Sequence, residues 1–172
     1  IERPDACKTG WRAGRGSPWA PLRAVLVTSA TLGQLPPMAP LPSWLALRVV
    51  GNYPAWPARW PLLRAQWTEH DWRARLRLLQ FHATPGIRCV PWGPDSVYAD
   101  LADGDIGIIP VAPGNPRWGE ERAQVWLRKS ENRLTLKMSM GLPVIATPIP
   151  AYECVIEHGV NGFLARSPAD WQ

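Results

Sequence analysis

From residue 87 onward, short apolar runs alternate with helix-like segments, and this alternation constrains the fold more than any other feature of the chain. Runs over 87–92, 105–111, 143–147 and 162–165 have the continuous, β-branched character of buried strands. Helices are expected between them over 96–102, 131–140 and 152–158. Strands joined through helices run parallel, because each helix returns the chain to the end of the sheet where the previous strand began. The expected fold class is therefore α/β, a parallel sheet with helices on both faces. Punctuation agrees: Gly141 stands where a helix needs a left-handed cap, Pro143 stops it, and Gly159 and Gly162 bracket the last turn. Ser167-Pro168-Ala169-Asp170 has the form of an N-cap followed by proline, so another helix is expected to start at 167–172.

The first half has a different character. Between Ala6 and Trp67 there is no Asp or Glu, and ten of the twenty prolines fall within the first 61 residues. Proline removes donors and restricts its predecessor, so long regular elements are not expected there. Residues 1–20 read as an interdomain linker and 21–166 as one domain, with 21–60 the least defined part. Two apolar runs, 23–28 and 47–51, have the look of buried strands. Residues 28–46 between them fit neither period, which raises the expectation of a frameshifted segment. Over 64–81, Trp67, Trp72, Leu76 and Leu79 recur near helical spacing with Arg73, Arg75 and Arg77 on other faces, so one amphipathic helix is expected.

Composition narrows the class further. A hydrophobic fraction of 46% with 19% charged residues is that of a globular chain, and no run reaches the eighteen or so apolar residues of a membrane span. The expectation is a soluble, cytoplasmic protein, with the inner membrane face as a further place of work. The opening residues have no signal-peptide layout, and the chain reads as cut at both ends. Cys7, Cys89 and Cys154 are odd in number and far apart, which suggests neither a disulfide framework nor a zinc site. A net charge of +5 suits a phosphate-bearing partner. No RNP, zinc-finger or helix-turn-helix pattern accompanies it, so nucleic acid is not the expected partner.

The segment KSENRLTLKMSMGLPVIATP at 129–148, followed by GVNGFLA at 159–165, resembles the C-terminal domain of GT-B glycosyltransferases of the family 4, group 1 type. Gly141-Leu-Pro-Val-Ile-Ala146, Glu153, Ile156 and Gly159-Val-Asn-Gly-Phe163 fill that pattern in order, and residues 90–92 and 105–110 look like its preceding βαβ unit. The resemblance implies a Rossmann-like domain that binds a nucleotide-diphosphate sugar. It implies transfer of the sugar to a hydroxyl on a glycan, lipid or small molecule, with no cofactor and no essential metal. Catalytic residues would belong to an N-terminal domain that this chain lacks, so the chain alone would not turn over. Lys129, Ser130, Glu131, Asn132 and Arg133 surround the start of a helix after a loop, an arrangement suited to a diphosphate, and Trp92 at a strand end could stack on the base. The family's helix glutamate for the ribose falls at Leu136, and its partner acid at Arg128, so Glu131 is the nearest carboxylate.

Other readings are weaker. Asp103-Gly-Asp105 has the form of a metal-binding acidic pair, but Asp105 opens a strand that fits the α/β pattern. His158 is expected to end a helix, where a cation suits the dipole. A non-catalytic binding module, or a degenerate pseudoenzyme, is the main alternative. A nicotinamide-dependent dehydrogenase ranks below it, because no GxGxxG follows an expected strand.

Overall fold

The computed structural model describes residues 20–29, 38, 40–53, 59–69, 72–111 and 129–171. Of the expected linker at 1–20 only residue 20 is described, and of the irregular stretch at 28–46 residues 30–37 and 39 lie outside the described residues. Among the described residues six strands are formed: β1 (Leu22–Val27), β2 (Leu45–Gly51), β3 (Ile87–Pro91), β4 (Ile106–Ile109), β5 (Val144–Ala146) and β6 (Phe163–Leu164). They make one all-parallel sheet in the order β3-β2-β1-β4-β5-β6, which is the order of a Rossmann-like fold. The helices are α1 (Arg59–Glu69), α2 (Trp72–Ala83), α3 (Ser96–Ala102), α4 (Asn132–Ser139) and α5 (Pro150–Glu153), with a 3₁₀ turn at Pro168–Trp171.

Strand alternation explains why helices are needed on both faces. On β1, Ala24 and Leu26 pack with Leu47, Val49, Tyr53 and Phe81 of α2, while Val25 packs with Val50, Val97 and Leu101 of α3 on the other side. A third cluster joins Ile109, Leu134, Val144, Ala146, Tyr152 and Ile156 beneath α4 and α5. Each fully buried Val or Leu contributes roughly 1.5 to 3 kcal/mol, so the central strands carry much of the stability. The two strands expected from the proline-rich half are both interior to the sheet, paired in register from Leu22↔Leu45 to Val27↔Val50.

Glycine caps α4 as the sequence suggests. Gly141 has φ +71, its amide donates to the Met138 carbonyl at 2.9 Å, and the Leu142 amide donates to the Lys137 carbonyl at 3.2 Å. This pair of bonds is the Schellman motif, which satisfies carbonyls that the helix leaves open. In the 157–162 turn, the Asn161 side chain accepts from the Glu157 amide and donates to the Val155 carbonyl, both at 2.9 Å.

Three expectations are corrected. The single helix expected over 64–81 is described as two, one ending at Glu69 and one starting at Trp72, with residues 70 and 71 outside the described residues. The apolar stripe of that amphipathic helix faces outward: Trp72, Leu76 and Leu79 are exposed, and α2 buries Phe81 instead. The helix expected over 152–158 is a single turn at Pro150–Glu153. His158 therefore ends no helix; its Nδ1 accepts the Leu164 amide at 3.1 Å.

Candidate functional site at the switch point of the sheet

The sheet is built outward in two directions from β1, first to β2 and β3, then to β4, β5 and β6. Chain connections therefore diverge between the carboxyl ends of β1 and β4, and in open parallel sheets the ligand crevice lies at that point. On the β1 side the chain runs on through Thr28 and Ser29, with the Thr28 amide donating to the Val50 carbonyl at 2.9 Å. Gly51 at the end of β2 is required there, since a Cβ would come within 2.5 Å of the Thr28 carbonyl oxygen. On the other side, the Val111 amide donates to Thr147 Oγ1 at 3.0 Å and the Thr147 amide donates to the Ile109 carbonyl at 3.1 Å. These bonds tie the ends of β4 and β5 together beside the crevice.

The amino end of α4 closes over this point. Arg133 Nη2 donates to Ser29 Oγ at 2.9 Å, joining the start of the helix to the end of β1 across 104 residues of sequence. The Leu134 and Thr135 amides both donate to the Glu131 carbonyl. The amides before them stand at the positive end of the helix, where no intrahelical acceptor exists. Lys129, Ser130, Glu131 and Asn132 are exposed around this end, and Arg133 is half-buried. Glu131 adds a carboxylate to a cluster that otherwise offers donors.

The Arg133 charge is felt by two buried neighbours. Burial pushes the Lys137 ammonium down from its ordinary 10.5 to about 7, and Arg133 adds to the effect. Burial raises the Tyr152 phenol, and Arg133 opposes that rise. Lys137 is wholly enclosed, its Nζ donating to the Arg133 carbonyl at 3.2 Å. Its stem lies on Gly107 of β4, where an added Cβ would approach Lys137 Cδ to 2.6 Å.

Trp92 does not join this cluster. It is exposed just past the end of β3, its amide bonded to the Gly51 carbonyl at 2.7 Å. β3 lies two strands from β1, which is roughly 10 Å at the usual strand spacing. Sequence reasoning missed Ser29, Thr147 and the enclosure of Lys137. A signal for Lys137 did exist, because it follows Arg133 by four residues, on the same helix face, and the Ile-Gly-Ile-Ile strand leaves a gap at Gly107.

Asp103 and Asp105 lie at the opposite end of the strands and are held by arginines. Arg23 grips Asp105 through Nε and Nη2 at 3.0 and 2.9 Å and reaches Asp103 at 2.8 Å, while Arg48 bridges Asp103 and Asp100 at 2.7 and 3.1 Å. Asp105 also accepts the Arg23 amide, which fixes the register between β1 and the approach to β4. The pair thus works as an anchor between β1, β2, α3 and β4.

The chain matches no protein-family model, and no curated protein matches it in sequence. Among the described residues, no helix is long and apolar enough to cross a membrane. The fold defines the class as a Rossmann-like α/β unit, a scaffold that hosts many chemistries.

Proposed function

We propose that this chain binds a nucleotide-diphosphate sugar as the donor half of a GT-B glycosyltransferase, the reading suggested by the motifs at 129–166. The observation that carries the proposal is the Arg133–Ser29 contact, which brings the open end of α4 to the switch point of the sheet. A diphosphate there would accept from the first amides of α4 and from Arg133, with Lys129, Ser130 and Asn132 around it. The base would extend over the ends of β2 and β3 toward Trp92. Charge growing on the leaving diphosphate would be stabilised by Arg133, Lys129 and the helix end. The acceptor and the catalytic base would come from a companion domain.

A second reading, a binding module without transfer activity, draws support from Leu136. This residue occupies the position of the family's ribose-binding glutamate and packs against the cluster of Val25, Val50 and Leu101. A ribose acid is therefore missing from the helix, and among the described residues Glu131 supplies a carboxylate at the start of α4.

Titration calorimetry with uridine, guanosine and adenosine diphosphates tests the site. Replacing Arg133 by Ala removes a charge-assisted hydrogen bond contributing roughly 1.5 to 3 kcal/mol, so affinity should fall by about ten- to a hundredfold. The melting temperature should stay nearly unchanged. Unaltered affinity in Arg133→Ala places the phosphate site elsewhere. Binding without transfer, with a companion α/β domain supplied, favours the module.

A further inference from the structure

On the sheet face served by α2, away from the switch point, the two helices between β2 and β3 present an aromatic and basic surface to solvent. On α2, Trp72, Leu76 and Leu79 are 67%, 58% and 52% exposed and follow one another at steps of four and three, so they form one stripe. Trp60 and Trp67 on α1 stand seven residues apart with Arg64 between them, and all three are exposed. Arginines flank the rings: the Arg73 guanidinium lies 5.2 Å from the Trp72 ring centre, and Arg75 lies 5.7 Å from that of Trp67. From 59 to 83 the sequence holds five arginines against Glu69 and Asp71.

We propose that this α1–α2 surface is a docking face for an anionic lipid bilayer. Tryptophan settles at the boundary between headgroups and acyl chains, with its ring in the apolar layer and its N–H in the wet one. Leu76 and Leu79 enter the acyl region, while Arg73 and Arg77 keep their guanidinium groups among the phosphates. The two helices lie in the plane of the membrane surface, and the Rossmann-like sheet stands behind them. Charge selects this occupant over a second copy of the chain, since pairing the stripe with itself would bring the flanking arginines together. The leucines select it over nucleic acid, which stacks on aromatic rings but gains little from aliphatic ones.

Co-sedimentation with vesicles of phosphatidylcholine alone, and of phosphatidylcholine with phosphatidylglycerol, tests the surface on the whole chain. The protein should pellet with the anionic vesicles and stay in solution with the neutral ones, and added salt should weaken the binding. Each basic residue near an anionic leaflet is worth about 1 kcal/mol, so the double reversal Arg73→Glu with Arg77→Glu should lower partitioning at least tenfold. The pair Trp72→Ala with Leu76→Ser should lower it similarly. All four positions are exposed, and a melting temperature equal to wild type checks that each variant is folded. Arg166→Glu, exposed beyond β6, makes a single charge reversal in another place and should change little. Arg133→Ala should bind vesicles as wild type does, so the lipid and nucleotide readings fail independently. Equal binding to both vesicle types, or no loss in either double variant, overturns the proposal. So does dimerisation or binding of single-stranded nucleic acid that both double variants abolish while vesicle binding persists.

Discussion

Replacing Lys137 by Met should stabilise the protein at neutral pH, and the gain should vanish as the solution becomes alkaline. The side chain is enclosed between α4 and β4, and its Nζ reaches the Arg133 carbonyl. Methionine keeps nearly the same length and volume in the space left by Gly107 while removing the ammonium. The folded ammonium titrates at about 7 instead of its ordinary 10.5. Between those values the unfolded chain holds a proton that the folded chain has lost, so stability rises with pH across this window, by up to about 1.4 kcal/mol per pH unit. Below about 7 both states are protonated and the penalty is constant, with a ceiling of about 5 kcal/mol set by the same interval. Exchanging buried ionic groups for packed apolar ones typically gains about 1 to 4 kcal/mol, since relaxation and a lost hydrogen bond offset part of the ceiling. The expected gain for Lys137→Met is therefore about 2 kcal/mol at pH 7 and close to zero near pH 10. Urea denaturation of both proteins at pH 6.5, 8.5 and 10 reads this difference, and the comparison cancels groups common to both. A variant less stable than wild type at pH 7, with an unchanged pH slope, would refute the reasoning. That result would mean that the ammonium is held by a compensating anion.

Two further substitutions test the frame around the site. Gly141→Ala should cost about 1 to 2 kcal/mol in thermal or urea unfolding, although the added methyl meets nothing within 4 Å, because an L-residue is strained at φ +71. No loss would show that the cap relaxes to another conformation. Asp105→Asn should cost about 1 kcal/mol, allowing for screening at a pair that is 35% and 22% exposed, and should leave nucleotide affinity unchanged with or without EDTA. Metal-dependent binding that disappears in Asp105→Asn would reassign the acidic pair.

The sequence by itself determined the alternation of strands and helices and the turns at Gly141 and Gly159, because each depends on neighbours within a few residues, and the helical connections between strands implied that the sheet is parallel. Ile87–Pro91 and Ser96–Ala102 were legible to within a residue for that reason. Motif spacing likewise placed Lys129 to Arg133 at a helix start. Tertiary structure alone decided what those residues face. Strand order brought Ser29 to Arg133, put β1 and β2 from the proline-rich half inside the sheet, and set Trp92 two strands away. The outward turn of Trp72, Leu76 and Leu79 was decided at the same level. Helical periodicity states that residues share a face, but only packing chooses which face is buried, and Phe81 filled the place against Leu26 and Val49. Lys137 shows the same division. Its spacing from Arg133 was in the sequence, while its lowered proton affinity came from the sheet that closed over it.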